Sequence, residues 1–250
     1  MNKVRKTGVI LCVLGGLLLA AGIFFQIYMS RSGYTGSVIS ESLSFENVRE
    51  LTVISSTLPV EISYGDCENV EVSHTGFLPL VYSEDNGLLR LAQNDEFTLT
   101  LYSPKSREAG IKITLPHKKY ERISVSSSSG SITAASLNAD SLELSTRSGD
   151  ITAENLDERA KIRTESGKIT ASLSSLGGDM TVNGGEGDVI LTVDENISFF
   201  LEFLTERGSF TSDIFEKKYD KRQGDAADMY NGAENLLRIY TTGGSLTLVK

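Results

Sequence analysis

Six glycines, Gly130, Gly149, Gly167, Gly187, Gly208 and Gly244, share one repeated frame, and that frame constrains the fold more than any other feature of the chain. With each glycine at position zero, position +2 holds Ile132, Ile151, Ile169, Val189, Phe210 and Leu246. Position −5 holds Val125, Leu144, Ile162, Val182, Phe203 and Ile239. Position −7 is apolar throughout, from Ile123 to Leu237, and position +4 is apolar except at Ser212. Apolar residues therefore alternate with period two on both sides of each glycine, which is the signature of a strand with one buried face. Each unit reads as strand, tight turn, strand, and the turn is commonly Thr-x-Ser-Gly.

Successive glycines lie 19, 18, 20, 21 and 36 residues apart. A period near 20 residues indicates stacked units, none of which can bury its apolar face alone. The last interval is long enough to hide one degenerate or looped-out unit. A first unit is also visible upstream, where Leu51, Val53, Val60 and Ile62 fall in register if Leu58 takes the place of the glycine. Short alternating stretches at Val70–Val72, Leu88–Leu91, Phe97–Leu101 and Ile111–Leu115 separate it from the main run. They read as hairpins packed at one side or end of the stack. The fold class expected is all-β: a β-solenoid or stacked β-strand repeat with a hairpin excursion.

Ahead of the repeat, residues 8–29 are almost wholly apolar and carry no charge. As a helix this run spans roughly 33 Å, enough for a bilayer core. It continues past the small residues Ala20, Ala21 and Gly22 where a signal peptide would be cut, so it reads as an uncleaved transmembrane helix. Lys3, Arg5 and Lys6 precede it, which places residues 1–7 in the cytoplasm and the rest outside. The expected organisation is a linker over 30–44 and an extracytoplasmic β-repeat domain over 45–250. The partner so implied is the cell membrane, through one N-terminal helix.

Of 24 Lys and Arg, three precede the span, so 21 face 33 Asp and Glu beyond it, a formal net charge of −12. Such a surface repels nucleic acid and anionic lipid or polymer, and favours cationic partners. Cys67 is the one cysteine beyond the span, so no intramolecular disulfide is available to the exported part. His74 and His117 have no metal-ligand spacing and read as surface residues. No cofactor or metal is indicated.

Two columns invite a chemical reading. Position +1 holds Ser131, Asp150, Lys168, Asp188, Ser209 and Ser245. Stacked about 4.8 Å apart, Lys168 lies between two aspartates, which reads as a surface ion-pair ladder. The sharper alternative is a carboxylate pair acting on polysaccharide, but a lysine between exposed carboxylates keeps both ionised. Position +3 holds Thr133, Thr152, Thr170, Thr211 and Thr247, interrupted by Ile190; a single threonine column is ordinary strand composition. The glycine turns are not phosphate loops, because no Gly-Lys-Ser/Thr and no helix follow.

The repeat is interrupted between Asp213 and Asn235. Lys217, Lys218, Lys221 and Arg222 form a basic island there, interleaved with Phe215, Tyr219 and Tyr230. Long loops on rigid scaffolds are where binding concentrates. Lys217, Lys218, Tyr219, Lys221, Arg222 and Tyr230 are accordingly the candidate partner-binding loop, facing an envelope protein or polymer.

The units apolar-x-apolar-x-[Ser/Thr]-x-Ser-Gly-x-apolar-Thr, preceded by IKITLP (111–116) and closed by RIYTTGGSLTLVK (238–250), resemble the bacterial "putative adhesin" domain of unknown function. This β-strand-repeat family includes LiaG-like envelope proteins, and the resemblance covers about residues 45–250. It implies a β-stack in the cell envelope and supplies no catalytic residues. Together these features point to a membrane-anchored, non-enzymatic binding or scaffold module acting in adhesion or envelope-stress signalling. The alternative is a glycan-active lyase or hydrolase on a β-helix.

Overall fold

The computed structural model describes residues 38–94, 109–156, 159–216, 218–232 and 235–250. The expected transmembrane helix and the stretch Phe97–Leu101 lie outside them. The described residues form 21 strands and no helix. The strands divide between an eleven-stranded and a ten-stranded sheet, which bury one apolar cluster between them.

Each repeat unit contributes one strand to each sheet, joined at the glycine turn. The upstream unit is β2 (Glu50–Ser55) with β3 (Val60–Tyr64), after β1 (Ile39–Phe45). After β4 (Val70–Gly76) and β5 (Val81–Asp85), β6 (Leu88–Ala92) and β7 (Gly110–Leu115) form a unit of their own. Four regular units follow: β8 (Arg122–Ser127) with β9 (Ile132–Ala135), β10 (Leu142–Thr146) with β11 (Ile151–Leu156), β12 (Ala160–Arg163) with β13 (Ile169–Leu173), and β14 (Met180–Gly185) with β15 (Val189–Val193). The chain ends in β16 (Phe199–Thr205), β17 (Ser209–Ser212), β18 (Tyr219–Gln223), β19 (Ala226–Tyr230), β20 (Leu236–Thr241) and β21 (Leu246–Val249).

Neighbouring units pair in parallel with no slip of the apolar columns. Ile151 is the register partner of both Ile132 and Ile169, and Leu144 of both Val125 and Ile162. Leu51 pairs with Ile123 and Val60 with Ile132, so the upstream unit occupies the place assigned to it. All four columns are buried, including the out-of-character Ser212. At about 1.5–3 kcal/mol per buried Leu, Ile or Phe, these columns are the main cohesive force.

The glycines serve close approach rather than unusual backbone angles. None of the six has positive φ; the glycines that do are Gly87, Gly185, Gly224 and Gly232. A methyl group at Gly149 would fall on the carbonyl of Gly130, one at Gly167 on that of Gly149, and one at Gly187 on that of Gly167. The turns stack backbone on backbone, leaving no room for a side chain. Position −3 completes the turn from inside. The Thr164 hydroxyl accepts the Gly167 N–H at 2.9 Å and donates to the Gly149 carbonyl at 3.4 Å, and Thr146 repeats the arrangement with Gly149 and Gly130. These hydroxyls are buried, and each bonds its own turn and the preceding one.

Three features differ from the sequence expectation. First, units do not stack in chain order at the C-terminal end: β20 and β21 insert between β14–β15 and β16–β17. Second, the excursion lies at the end of the stack and β5–β6 is a tight hairpin through Asn86 and Gly87, but the remaining strands extend the stack itself. β6 and β7 continue it in parallel with β2 and β3, and β4 and β5 close it as an antiparallel end rung. Third, β1 falls within the stretch expected to be linker and pairs antiparallel with β4.

Candidate functional site

At the turn edge, the position +1 column differs from an ion-pair ladder. The Asp150 carboxylate accepts the backbone N–H of Lys168 at 2.8 Å, and Asp188 accepts that of Ser245 at 2.9 Å. Among the described residues, Lys168 makes no ion pair. These exposed aspartates tie one turn to the next. Ion pairs between rungs occur on the outer sheet faces, Lys112 with Glu61 at 2.9 Å, Lys161 with Glu143 at 3.6 Å and Arg238 with Glu202, and also between turns, Arg147 with Glu165 at 3.9 Å and Arg207 with Glu186 at 2.9 Å.

The segment expected to be a binding loop is the end of the stack. β18 pairs antiparallel with β17, and β19 with β16, so the interruption is a reversed terminal rung. Tyr219 and Tyr230 are buried there rather than presented to a partner. The Tyr219 ring lies 4.7 Å from that of Phe210, and Tyr230 5.4 Å from Phe199; Phe215 contacts Phe199, Phe210 and both tyrosines edge-on. Rings plug the open end of the core because no further rung covers it. The Tyr219 hydroxyl donates to Asp228 at 2.7 Å, and burial together with that carboxylate pushes its ionisation up. Lys218, Lys221 and Arg222 are exposed, with the Arg222 guanidinium 5.7 Å from the Tyr219 ring centre; Lys217 lies outside the described residues.

Two further places escaped the sequence reading. His74, expected at the surface, is 1% exposed, and its Nδ1 lies 2.9 Å from the Glu41 carboxylate, which also accepts the Leu80 N–H. This pair fastens β1 to β4 and to the turn that follows. Tyr120 is buried on the edge opposite the glycine turns, and its hydroxyl has no hydrogen-bond partner among the described residues. Burial pushes that phenol far above its usual ionisation range. Nearby Cys67 has its thiol pushed up by burial, then by Glu71 and Asp66, which makes it a poor nucleophile.

The outer face of the ten-stranded sheet carries two exposed apolar rows that periodicity alone does not reveal. At one end, Val81 and Ile54 both pair with Ala92. At the other, Met229 and Leu236 both pair with Phe200. Val81, Ile54 and Met229 are each more than half exposed. The first row lies at the glycine-turn edge and the second at the opposite edge, so the two are diagonally opposed on one sheet.

The sequence pattern of the Toastrack DUF4097 family matches residues 48–172. A "putative cell adhesion protein" of Clostridium sporogenes aligns over 85% of this chain and 99% of its own, at 14% identity and a TM-score of 0.51. A "putative adhesin" of Bacteroides fragilis covers 85% of this chain and 97% of its own, at 9% identity and a TM-score of 0.35. A "putative lipid binding protein" of Parabacteroides distasonis covers 86% and 98%, at 12% identity and 0.26. At 14% identity the likeness to the Clostridium sporogenes protein is one of fold. No curated protein sequence matches the chain.

Proposed function

Because the chain belongs to the Toastrack DUF4097 family, we propose that it works as a membrane-anchored, extracytoplasmic rack: a non-enzymatic binding or scaffold body of the bacterial cell envelope, serving adhesion or envelope-stress signalling. The observation that carries this reading is the use made of the turn carboxylates. Asp150 and Asp188, the residues best placed to act as an acid–base pair, are spent on backbone N–H groups of the next turn. The stack thus offers two stiff outer faces on a tether, suited to contact over area. The apolar run of residues 8–29 supplies the tether and its basic N-terminal flank the orientation. Protease added to intact, wall-stripped cells should digest the body while a cytoplasmic marker survives. Protection of the body, or turnover of peptidoglycan or pectin-like polysaccharide by the purified full chain, would overturn the proposal.

A further inference from the structure

One corner of the stack combines exposed apolar side chains with the entry point of the N-terminal tether. β1 begins at Ile39, whose register partner is Gly76, the last residue of β4. The chain then turns through residues 77–80 into Val81, so the entry point and the start of β5 share a corner. Ile54 reaches the same edge, because it and Val81 flank Ala92 on adjacent strands. Ile54 and Val81 are 51% and 52% exposed on the outer face; Tyr82, 50% exposed, turns to the other face of β5, where its ring meets Phe45 edge-on at 5.2 Å, and Phe77 and Leu78 beside them are half-buried.

Edge strands of soluble sheets are usually blunted with charge. On β5 the charges, Glu84 and Asp85, lie at the far end of the strand, next to the opposite edge of the stack. Exposed Arg90, opposite Ser83 at the middle of β5, lies on the same outer face as Ala92. An aromatic ring, aliphatic side chains and an arginine match the interfacial zone of a bilayer.

The tether makes that occupant the fitting one. Eight residues, 30–37, separate the apolar run from Val38, and eight residues reach at most about 29 Å. The ten-stranded sheet has nine strand spacings, about 43 Å at 4.8 Å each, so the tether is shorter than the stack. We infer that the corner formed by Ile54, Phe77, Leu78, Val81 and Tyr82 docks on the outer surface of the membrane, standing the rack on its N-terminal end. This rests on the membrane-anchored reading above. The opposite apolar row, at Phe200 and Met229, is then held away from the lipid and left open.

The chain contains no tryptophan, so Tyr82→Trp in the full chain is a single-site reporter. Reconstituted in phosphatidylcholine–phosphatidylglycerol vesicles carrying brominated acyl chains, Tyr82→Trp should shift to the blue and lose most of its emission. Met229→Trp should keep its emission. Adding Ile54→Asp and Val81→Asp to the Tyr82→Trp chain should restore the lost emission. A chain that resists carbonate extraction but shows an unquenched Tyr82→Trp, or equal quenching at both reporters, refutes the docking alone. A chain released by carbonate refutes the anchor, and the docking with it.

Discussion

The carboxylate of Asp150 accepts the backbone N–H of Lys168 at 2.8 Å, one rung along the stack, while Ile151 beside it points into the core with no exposed surface. Adjacent residues thus do opposite work, and substitution separates them. Ile151→Asp places an unpaired charge among apolar columns and should cost several kcal/mol, comparable to a marginal domain's whole stability. Asp150→Ser removes one exposed hydrogen bond and should cost about 1 kcal/mol, with Asp150→Asn recovering most of it. Thermal melts of the three variants decide the register; a more damaging Asp150→Ser would reverse the assigned faces.

Gly167→Ala forces the turn of its unit away from the Gly149 carbonyl. The contact is backbone on backbone, so no flexible side chain can yield, and the cost should reach about 1–3 kcal/mol or more, as for overpacked cores. Gly224→Ala is the contrast, with open space around it and φ of 80°. Its cost should stay near the 1–2 kcal/mol of a strained left-handed residue, about that much and no more. Denaturant midpoints of the two variants measure the difference.

Tyr219→Ala should open the aromatic plug and cost about 3–5 kcal/mol, in the range of large aromatic truncations. Lys218→Ala, Lys221→Ala and Arg222→Ala should each stay within about 0.5 kcal/mol, as for surface positions. Urea unfolding of the four variants checks whether this segment is an end rung or a free loop. Equal, small effects would return it to the loop class.

Tyr120 ties stability to alkaline pH. Its phenol ionises about 10 in an unfolded chain, while burial raises it in the folded one. Above that pH the unfolded state binds fewer protons than the native state, so stability falls as pH rises. Tyr120→Phe removes a buried hydroxyl without a partner among the described residues and should change neutral-pH stability little. Its melting temperature should decline less than the wild type's between neutral pH and the alkaline limit.

The glycine register made the columns legible, because period-two burial and a fixed turn leave one way for Ile132, Ile151 and Ile169 to align. The same register could not reveal the order of the rungs at the end. Intervals between glycines measure the length of a unit, not which unit lies beside it, and Leu246 pairs equally well with Val189 and Phe210. His74 was missed because its partner, Glu41, lies 33 residues away in a stretch that reads as linker. Tyr219 and Tyr230 were misplaced for a different reason. Alternating aromatic and basic residues suit a solvated loop or a capping strand equally, and only the empty core end beyond Phe210 decides between them.

The inserted rung has a consequence for how the molecule is made. Residues 236–249 leave the ribosome after residues 199–212, yet they seat between those residues and the rest of the stack. A nascent or translocating chain that has emerged only to Asn235 therefore holds its final aromatic units without a berth, since β16 and β17 have no parallel neighbour until β20 and β21 arrive. Assembly at this end cannot run strictly from first-made to last-made. It waits for a closing stitch, and a ribosome stall or clipping before Leu236 would bare the facing edges of β14, β15, β16 and β17, which the finished protein pairs.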